Sequence, residues 1–336
     1  GHPVRVQSMT NTLTADHAVT SDQIKALIGA GAEIIRLAVS DMESVASLSK
    51  IRSQFPNIPL VADIHFDHRL ALESIKAGVD KVRINPGNIG SDKKVSEICA
   101  AAKDKGIPLR IGVNGGSLPK DIEAKFAGAG ADALLAAAER ELLVLEKTGF
   151  ADIVVSMKSS SIPISVEANR LFRAKHPFPL HIGITEAGLP GAGTVSSAVG
   201  IGILLYEGIG ETLRVSLTGD PVNEVIAGWQ ILSALELRSK GIRFISCPTC
   251  GRTEIPVEKL ALEAQKQLGE LNMKITVAIM GCVVNGPGEA RHADIGITGS
   301  STEYVIFKGD NVLDKFSTDI PVPEVIERLK KHILDM

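Results

Sequence analysis

Three cysteines fall on two short segments near the end of the chain. Cys247-Pro-Thr-Cys250 is a C-x-x-C pair, and Cys282 lies in Met280-Gly-Cys-Val-Val-Asn-Gly-Pro-Gly-Glu289. A C-x-x-C alone suits a dithiol redox pair, half of a zinc site or half of an iron–sulfur site. The third cysteine favours a metal, because a dithiol switch has no use for it. Zinc would need a fourth ligand, which Glu289 or His292 could supply, and a closed site. An iron–sulfur cluster held by three thiolates and a weaker oxygen ligand would keep one exchangeable, Lewis-acidic iron. The residue pattern leaves iron–sulfur, zinc and dithiol open, in that order of preference. The spacing of radical adenosylmethionine enzymes is absent. Asn285-Gly-Pro-Gly288 reads as a tight turn, whose glycines would also let backbone N–H groups approach a cluster. Cys99, in the middle of a helical stretch, reads as a small buried hydrophobe.

The second set of candidate groups is cationic. Side chains alternate faces along a strand, so residues two apart point the same way. Short β-rich runs end in such pairs: Asp63 and His65, Arg83 and Asn85, Ser156 and Lys158, Arg214 and Ser216. Arg110 and Asn114 stand four apart, again on one face. Arg36 comes from another run, and His181, with Glu186 just past it, from yet another. Singly, each Arg reads more simply as a surface salt bridge, and His65 or His181 as a hydrogen-bonded core histidine. Collectively, Arg36, Arg83, Arg110, Lys158 and Arg214 are cations from five different strands. Charges brought so close must be compensated by acids or by a ligand. Asp63 and Glu186 are the acids in the set, which leaves about three positive charges for an anion. Arg offers bidentate pairing to phosphate and Lys a point charge, so the expected ligand is phosphorylated, with two or more charges.

The runs that must position these groups are Val4–Gln7, Ile34–Val39, Leu60–Asp63, Lys81–Ile84, Leu109–Val113, Ile153–Ser156, Leu180–Ile184 and Thr212–Ser216. Helical patterning lies between them, as in Asp22–Gly29, Ser44–Gln54, Leu70–Ala77, Val95–Lys105, Val166–Lys175 and Val222–Leu235. Gly31, Gly78, Gly106 and Gly149 each punctuate a helix end before the next strand. Eight strands alternating with helices read as a (β/α)8 TIM barrel, with its active face at the C-terminal strand ends. An extra helix within Lys120–Ala138 fills the longest interval. A doubly wound sheet is the alternative, but Gly188, Gly191 and Gly193 form neither a dinucleotide fingerprint nor a P-loop. After Lys240 the texture changes to a small α+β module. Its expected strands are Val277–Met280, Ala293–Thr298 and Tyr304–Phe307, with helices at Val257–Leu271 and Pro323–Leu334. The expected division is 1–239 and 240–336.

Composition narrows the function classes. The 336 residues carry a net charge of −3, which argues against a general nucleic-acid binder. Nine Phe, two Tyr and one Trp offer few stacking platforms for single strands. The longest uncharged run, Ala187–Tyr206, is broken by Pro190 and several glycines, so no membrane span is expected. No secretory signal is visible, and four cysteines in so long a chain are no disulfide framework. The expectation is a cytoplasmic enzyme. The start at Gly1 rather than Met suggests a processing or expression scar.

At this point the chain resembles, over essentially its whole length, the 4-hydroxy-3-methylbut-2-enyl diphosphate synthases of isoprenoid precursor biosynthesis. The resemblance is carried by Val6-Gln-Ser-Met-Thr-Asn-Thr12, Ala62-Asp-Ile-His65, Val82-Arg-Ile-Asn-Pro-Gly-Asn88 and Leu109-Arg-Ile-Gly-Val-Asn114. It continues in Ser156-Met-Lys158, His181-Ile-Gly-Ile-Thr-Glu-Ala-Gly188, Ser246-Cys-Pro-Thr-Cys-Gly-Arg252 and Gly281-Cys-Val-Val-Asn-Gly-Pro-Gly-Glu289. The resemblance implies a sulfite/nitrite reductase-like second domain and a [4Fe-4S] cluster held by Cys247, Cys250, Cys282 and Glu289. It makes Glu289 the labile ligand. It implies reductive ring opening of 2-C-methyl-D-erythritol 2,4-cyclodiphosphate, with electrons from ferredoxin or flavodoxin. Arg36, Arg83, Arg110, Lys158, Arg214 and Ser216 would hold the diphosphate, supported by Asn85, Asn114 and His181. Glu186 would donate the proton, its pKa raised by burial. The family acts as a homodimer, with the cluster domain of one subunit closing over the barrel of the other. Two departures stand out: the short N-terminal segment usual in the family is shortened, and the large extra domain of some members is absent. The competing readings are a zinc-stabilised, phosphate-binding barrel without redox activity, and a non-redox phosphosugar enzyme with a purely structural cysteine domain.

Overall fold

Side chains alternate along eight short strands: β1 (Arg5–Met9), β2 (Ile34–Ala38), β3 (Leu60–Asp63), β4 (Lys81–Ile84), β5 (Leu109–Asn114), β6 (Ile153–Lys158), β7 (His181–Ile182) and β8 (Thr212–Leu213). A computed structural model describes residues 2–282 and 290–336. In it these strands pair in parallel in the order β6-β5-β4-β3-β2-β1-β8-β7. A bridge between Val155 and Leu180 brings β6 back to β7, so the sheet is a nearly closed barrel. Helices separate consecutive strands, as a parallel ladder requires.

The alternation decides what faces where. On β5, Leu109, Ile111 and Val113 belong to the apolar core, while Arg110, Gly112 and Asn114 take the other face. On β6, Ile153, Val155 and Met157 belong to that core, against Val154, Ser156 and Lys158. The register joins Asp63, Arg83 and Arg110 side by side across β3, β4 and β5, and Asn114 beside Lys158. Laterally paired residues share a face, so the mouth-side interior is a charged layer. Barrel interiors are more usually filled by branched apolar side chains.

Local signals set the helices. Asp16 caps His17–Ala30 by accepting from the Val19 N–H, which starts that helix earlier than its hydrophobic pattern alone suggests. Gly31 and Gly106 close their helices in the left-handed region, with φ of 106° and 63°. Between β5 and β6 the chain forms two helices, Lys120–Phe126 and Ala131–Glu146. The uncharged run after β7 is the helix Ala192–Tyr206. No helix among the described residues is long and apolar enough to cross a membrane.

The chain divides into the units Gly1–Arg238 and Ser239–Met336. The second holds β9 (Arg243–Ser246), β10 (Thr276–Ile279), β11 (Ile295–Gly299), β12 (Glu303–Lys308) and β13 (Asn311–Ser317), in the order β13-β12-β11-β10-β9. The pairs β9–β10 and β10–β11 are parallel, and the other two are antiparallel. Helices Val257–Leu268 and Val322–Leu334 contribute Leu260, Ala264, Leu329 and Ile333 to a core with Val277, Ile279, Ile295 and Ile297. β9 and β13 were not expected from the sequence. β9 is a four-residue run beside the C-x-x-C motif, and β13 is an edge strand whose residues are mostly exposed.

Candidate active site

The inward layer of the barrel opens into a cavity of about 150 Å³, lined by Arg36, Arg83, Arg110, Gly112, Asn114, Ser156, Lys158, His181, Thr185, Arg214 and Ser216. Nine of the twelve barrel residues expected to bind substrate thus meet at one mouth. Asp63 does not line it. Instead its buried carboxylate accepts from Arg36 Nη2 at 2.7 Å and from Arg83 Nη1 at 3.2 Å. His65 is exposed and places Nε2 3.3 Å from the same carboxylate. Asn85 also lies off the lining, at the turn after β4, with its Oδ1 buried and without a hydrogen-bond partner.

One expectation about acids is corrected, the identity of the second compensating carboxylate. Glu186, taken as the second compensating acid and a buried proton donor, is exposed in a left-handed turn with φ of 55°. The burial expected of it is not supplied within the barrel unit. The second buried carboxylate is Glu224, in the first turn of the helix Pro221–Ala234. It accepts from Arg214 Nε and Nη2, each at 3.2 Å, and from the Leu217 N–H at 3.0 Å. Its sequence signal was hidden, because an acid in a first helical turn already has an explanation in the helix dipole. Gln7 on β1 was also missed, and its Oε1 accepts from Arg110 Nη1 at 2.7 Å. A polar residue between Val6 and Met9, on the face that alternation assigns to the interior, was the available clue.

Five cations therefore share the mouth with two buried carboxylates. Burial lowers Arg36, and Arg83 and Arg214 lower it further, to about 10 despite Asp63. Burial would raise Asp63, but Arg36, the His65 hydrogen bond and Arg83 together hold it far below the usual carboxylate range. Lys158 is lowered well below the ordinary lysine range by burial, then by Arg214, Arg110 and Arg36. His181 is likewise pushed down by burial and by Lys158, Arg110 and Arg36, which favours its neutral imidazole. Its Nδ1 lies 2.8 Å from Thr212 Oγ1, and its buried Nε2 has no partner. Arg110 Nη2 is also buried without a partner. Unsatisfied donors in a cation-rich cavity are what an incoming polyanion would satisfy.

Gly183 and Gly112 make room for this layer. A Cβ on Gly183 would collide with the Arg214 carbonyl and stand 2.8 Å from Lys158 Nζ, and one on Gly112 would stand 2.7 Å from Arg83 Nε.

In the second unit, β9 and β10 run side by side with Ser246 opposite Ile279. Cys247 and Cys250 follow the end of β9, and Cys282 follows the end of β10. All three are free thiols. The Gly281 N–H donates to Cys247 Sγ at 3.1 Å, and the Glu254 N–H donates to the Gly281 carbonyl at 2.9 Å, tying the two loops together. Backbone and side-chain hydrogen bonds from Arg252 hold the Cys250 thiol below its ordinary range. Unpaired thiols, one accepting a backbone N–H and one favouring thiolate, fit a thiolate-held group. Among the described residues, no three His, Cys, Asp or Glu side chains converge on a metal position. The expected fourth ligand, Glu289, and the turn Asn285–Gly288 lie outside the described residues.

A (β/α)8 barrel with a polycationic mouth, followed by a thiol-bearing α+β unit, defines an enzyme class that joins anion binding to cysteine-ligated chemistry. The chain belongs to the GcpE family, the 4-hydroxy-3-methylbut-2-en-1-yl diphosphate synthases. Residues 1–229 match the family model of the GcpE TIM-barrel domain, and residues 243–333 that of the GcpE protein C-terminal domain. The chain is 51% identical over 332 residues to the 4-hydroxy-3-methylbut-2-en-1-yl diphosphate synthase (flavodoxin) of Caldanaerobacter subterraneus subsp. tengcongensis, covering 99% of this chain and 93% of that one. It is 53% identical to the Clostridium tetani protein of the same name, covering 98% and 94%. Among solved structures, Plasmodium falciparum HPPK-DHPS matches with a TM-score of 0.50 at 13% identity, covering 69% of this chain and 45% of that one. That last likeness speaks to the barrel fold alone.

Proposed function

We propose that the chain reduces 2-C-methyl-D-erythritol 2,4-cyclodiphosphate to 4-hydroxy-3-methylbut-2-enyl diphosphate, an isoprenoid precursor. The observation that carries this reading is the buried cationic cavity in a chain of this family, with unpartnered donors at Arg110 and His181. Arg110, Lys158 and Arg214 meet the linked phosphates. Arg36 and Arg83, locked by Asp63, and Asn114, Ser156, His181 and Ser216 complete the seat. The ring opens with uptake of two electrons and loss of a hydroxyl as water. Glu186 supplies the proton to the departing oxygen, and the burial it needs comes from a cover over the mouth. Cys247, Cys250, Cys282 and Glu289 would hold a [4Fe-4S] cluster. Bound there, it supplies one-electron transfer and a Lewis-acidic iron. Flavodoxin or ferredoxin delivers the electrons, in keeping with the flavodoxin named for the relatives.

The deciding experiment is anaerobic turnover of the cyclodiphosphate with a chemical reductant. A colourless protein holding one tight zinc, or turnover of a phosphosugar with no electron donor, would overturn the reading. Full turnover by Glu186→Gln would remove the proton-donor role. In the assembly we propose, the cluster domain of one subunit covers the barrel of its partner and shields the site from water. Mixed Cys282→Ala and Glu186→Ala subunits then recover part of the activity that each lacks alone. No recovery would place the site within one chain.

A further inference from the structure

Of the five cations at the mouth, four are guanidiniums, which stay protonated in proteins. Lys158 is the one whose chemistry lets it release a proton near neutrality. It is also the least compensated. Asp63 holds Arg36 and Arg83, Glu224 holds Arg214, and the Gln7 carbonyl receives Arg110. Lys158 is 5% exposed, and the two buried carboxylates of the layer, Asp63 and Glu224, are already engaged by guanidiniums. The charged and titratable groups set around it are Arg36 on β2, Asp63 on β3, Arg83 on β4, Arg110 on β5, His181 on β7, Arg214 just past β8, and Glu224 on the following helix. An ammonium enclosed among guanidiniums, with the neighbouring carboxylates already engaged, is disfavoured by reduced hydration and by repulsion.

We propose that Lys158 rests as a neutral amine in the unliganded protein and takes up a proton when the doubly charged substrate enters the cavity. Binding and proton uptake are then one linked event. The inference rests on the substrate reading above and adds to it which group adjusts the charge of the site. Each phosphorus of the cyclodiphosphate bears one strongly acidic oxygen, so the ligand is a dianion throughout the neutral range and brings no proton itself. Its two charges beside Nζ favour the ammonium, and the proton comes from solvent. The direction in which burial and the neighbouring guanidiniums push Lys158 agrees. His181 is the rival acceptor and is less suited. Its Nδ1 is occupied by Thr212, it starts from a lower ordinary value, and a charged Lys158 disfavours its protonation further. Lys81 is also lowered, to about 8, but it does not line the cavity and faces Asp152.

The test is titration calorimetry of the anaerobic holoenzyme with the cyclodiphosphate, without reductant, near neutral pH in two buffers of different ionisation enthalpy such as HEPES and Tris. The expected result is a buffer-dependent enthalpy reporting uptake approaching one proton per site. The affinity should also weaken with rising pH by up to about tenfold per unit. Lys158→Arg, whose charge is permanent, should bind with equal enthalpy in both buffers, while His181→Asn keeps the buffer dependence. Equal enthalpies for the unmodified protein overturn the proposal, and that measurement stands even if a variant fails to fold. Buffer dependence that survives in Lys158→Arg overturns it as well. Absence of any binding heat overturns the substrate reading itself, and this proposal with it.

Discussion

Asp63 carries more of the site than a contact with substrate would, because two guanidiniums depend on it. Removing one partner of a buried charge network leaves the others uncompensated, at a cost of about 3–5 kcal/mol. Asp63→Asn should therefore lower stability by that order in denaturant unfolding at neutral pH, before any effect on turnover. The pH dependence has a definite sign. The folded-state pKa of Asp63 is depressed, so its contribution is full above the unfolded value of about 3.9 and is lost as pH falls below it. The acid limb of the stability profile should flatten in Asp63→Asn, and an unchanged limb would mean the carboxylate is not held by the guanidiniums. Gly183 is the opposite case, a residue that acts through what it lacks. A Cβ there meets backbone at the Arg214 carbonyl as well as Lys158 Nζ. Gly183→Ala should cost about 1–3 kcal/mol by overpacking and weaken cyclodiphosphate binding, readable as a raised Kd. At this scale the sequence was legible where a polar residue broke an apolar strand, as at Arg83, Arg110 and Lys158. It was silent at Glu224, whose inward reach depends on where its helix lands against β1.

Elements bring these residues together by parallel pairing, and the same device recurs in the second unit. Adjacent parallel strands end at the same level, so β9 and β10 deliver Cys247 and Gly281 to hydrogen-bonding distance. The loop after β10 can approach because Gly281 has no Cβ. One would lie 2.9 Å from Val257 Cγ2 and 3.3 Å from Cys247 Sγ. Gly281→Ala should push the two loops apart and lower iron content per chain, while cyclodiphosphate binding to the barrel is retained. Iron content equal to that of the unmodified protein would show that the loops tolerate the displacement. Eight barrel strands were legible because each is a short apolar run, and before β2, β4, β5 and β6 a glycine marks the end of the preceding helix. β7 and β8 are shorter than their apolar runs suggest, since only His181–Ile182 and Thr212–Leu213 keep ladder geometry before the chain turns to the mouth. β13 left little trace in sequence because Asp314 and Lys315 sit in an exposed edge strand, where charge also discourages pairing with another chain.

At the scale of the molecule, each unit owns its core. The larger cluster of buried apolar residues runs from Val6 to Leu232, and the second from Ile255 to Ile333, with no buried member shared. Two such cores have no reason to melt as one, so calorimetric unfolding of the holoenzyme should resolve two transitions. Their ligands separate them further, because stabilisation by a ligand falls on the unit that binds it. Saturating cyclodiphosphate, at about a hundredfold excess over Kd, contributes about 2.7 kcal/mol to the barrel. For a unit of this size that raises its midpoint by roughly 5–10 °C. Iron chelation should lower the other midpoint and leave the barrel's in place, because thiolate-held groups contribute their binding energy to the domain that folds around them. If cyclodiphosphate moved both transitions equally, the two units would share the substrate site energetically within one assembly. If chelation moved the barrel alone, the assignment of Cys247, Cys250 and Cys282 as ligands would be wrong.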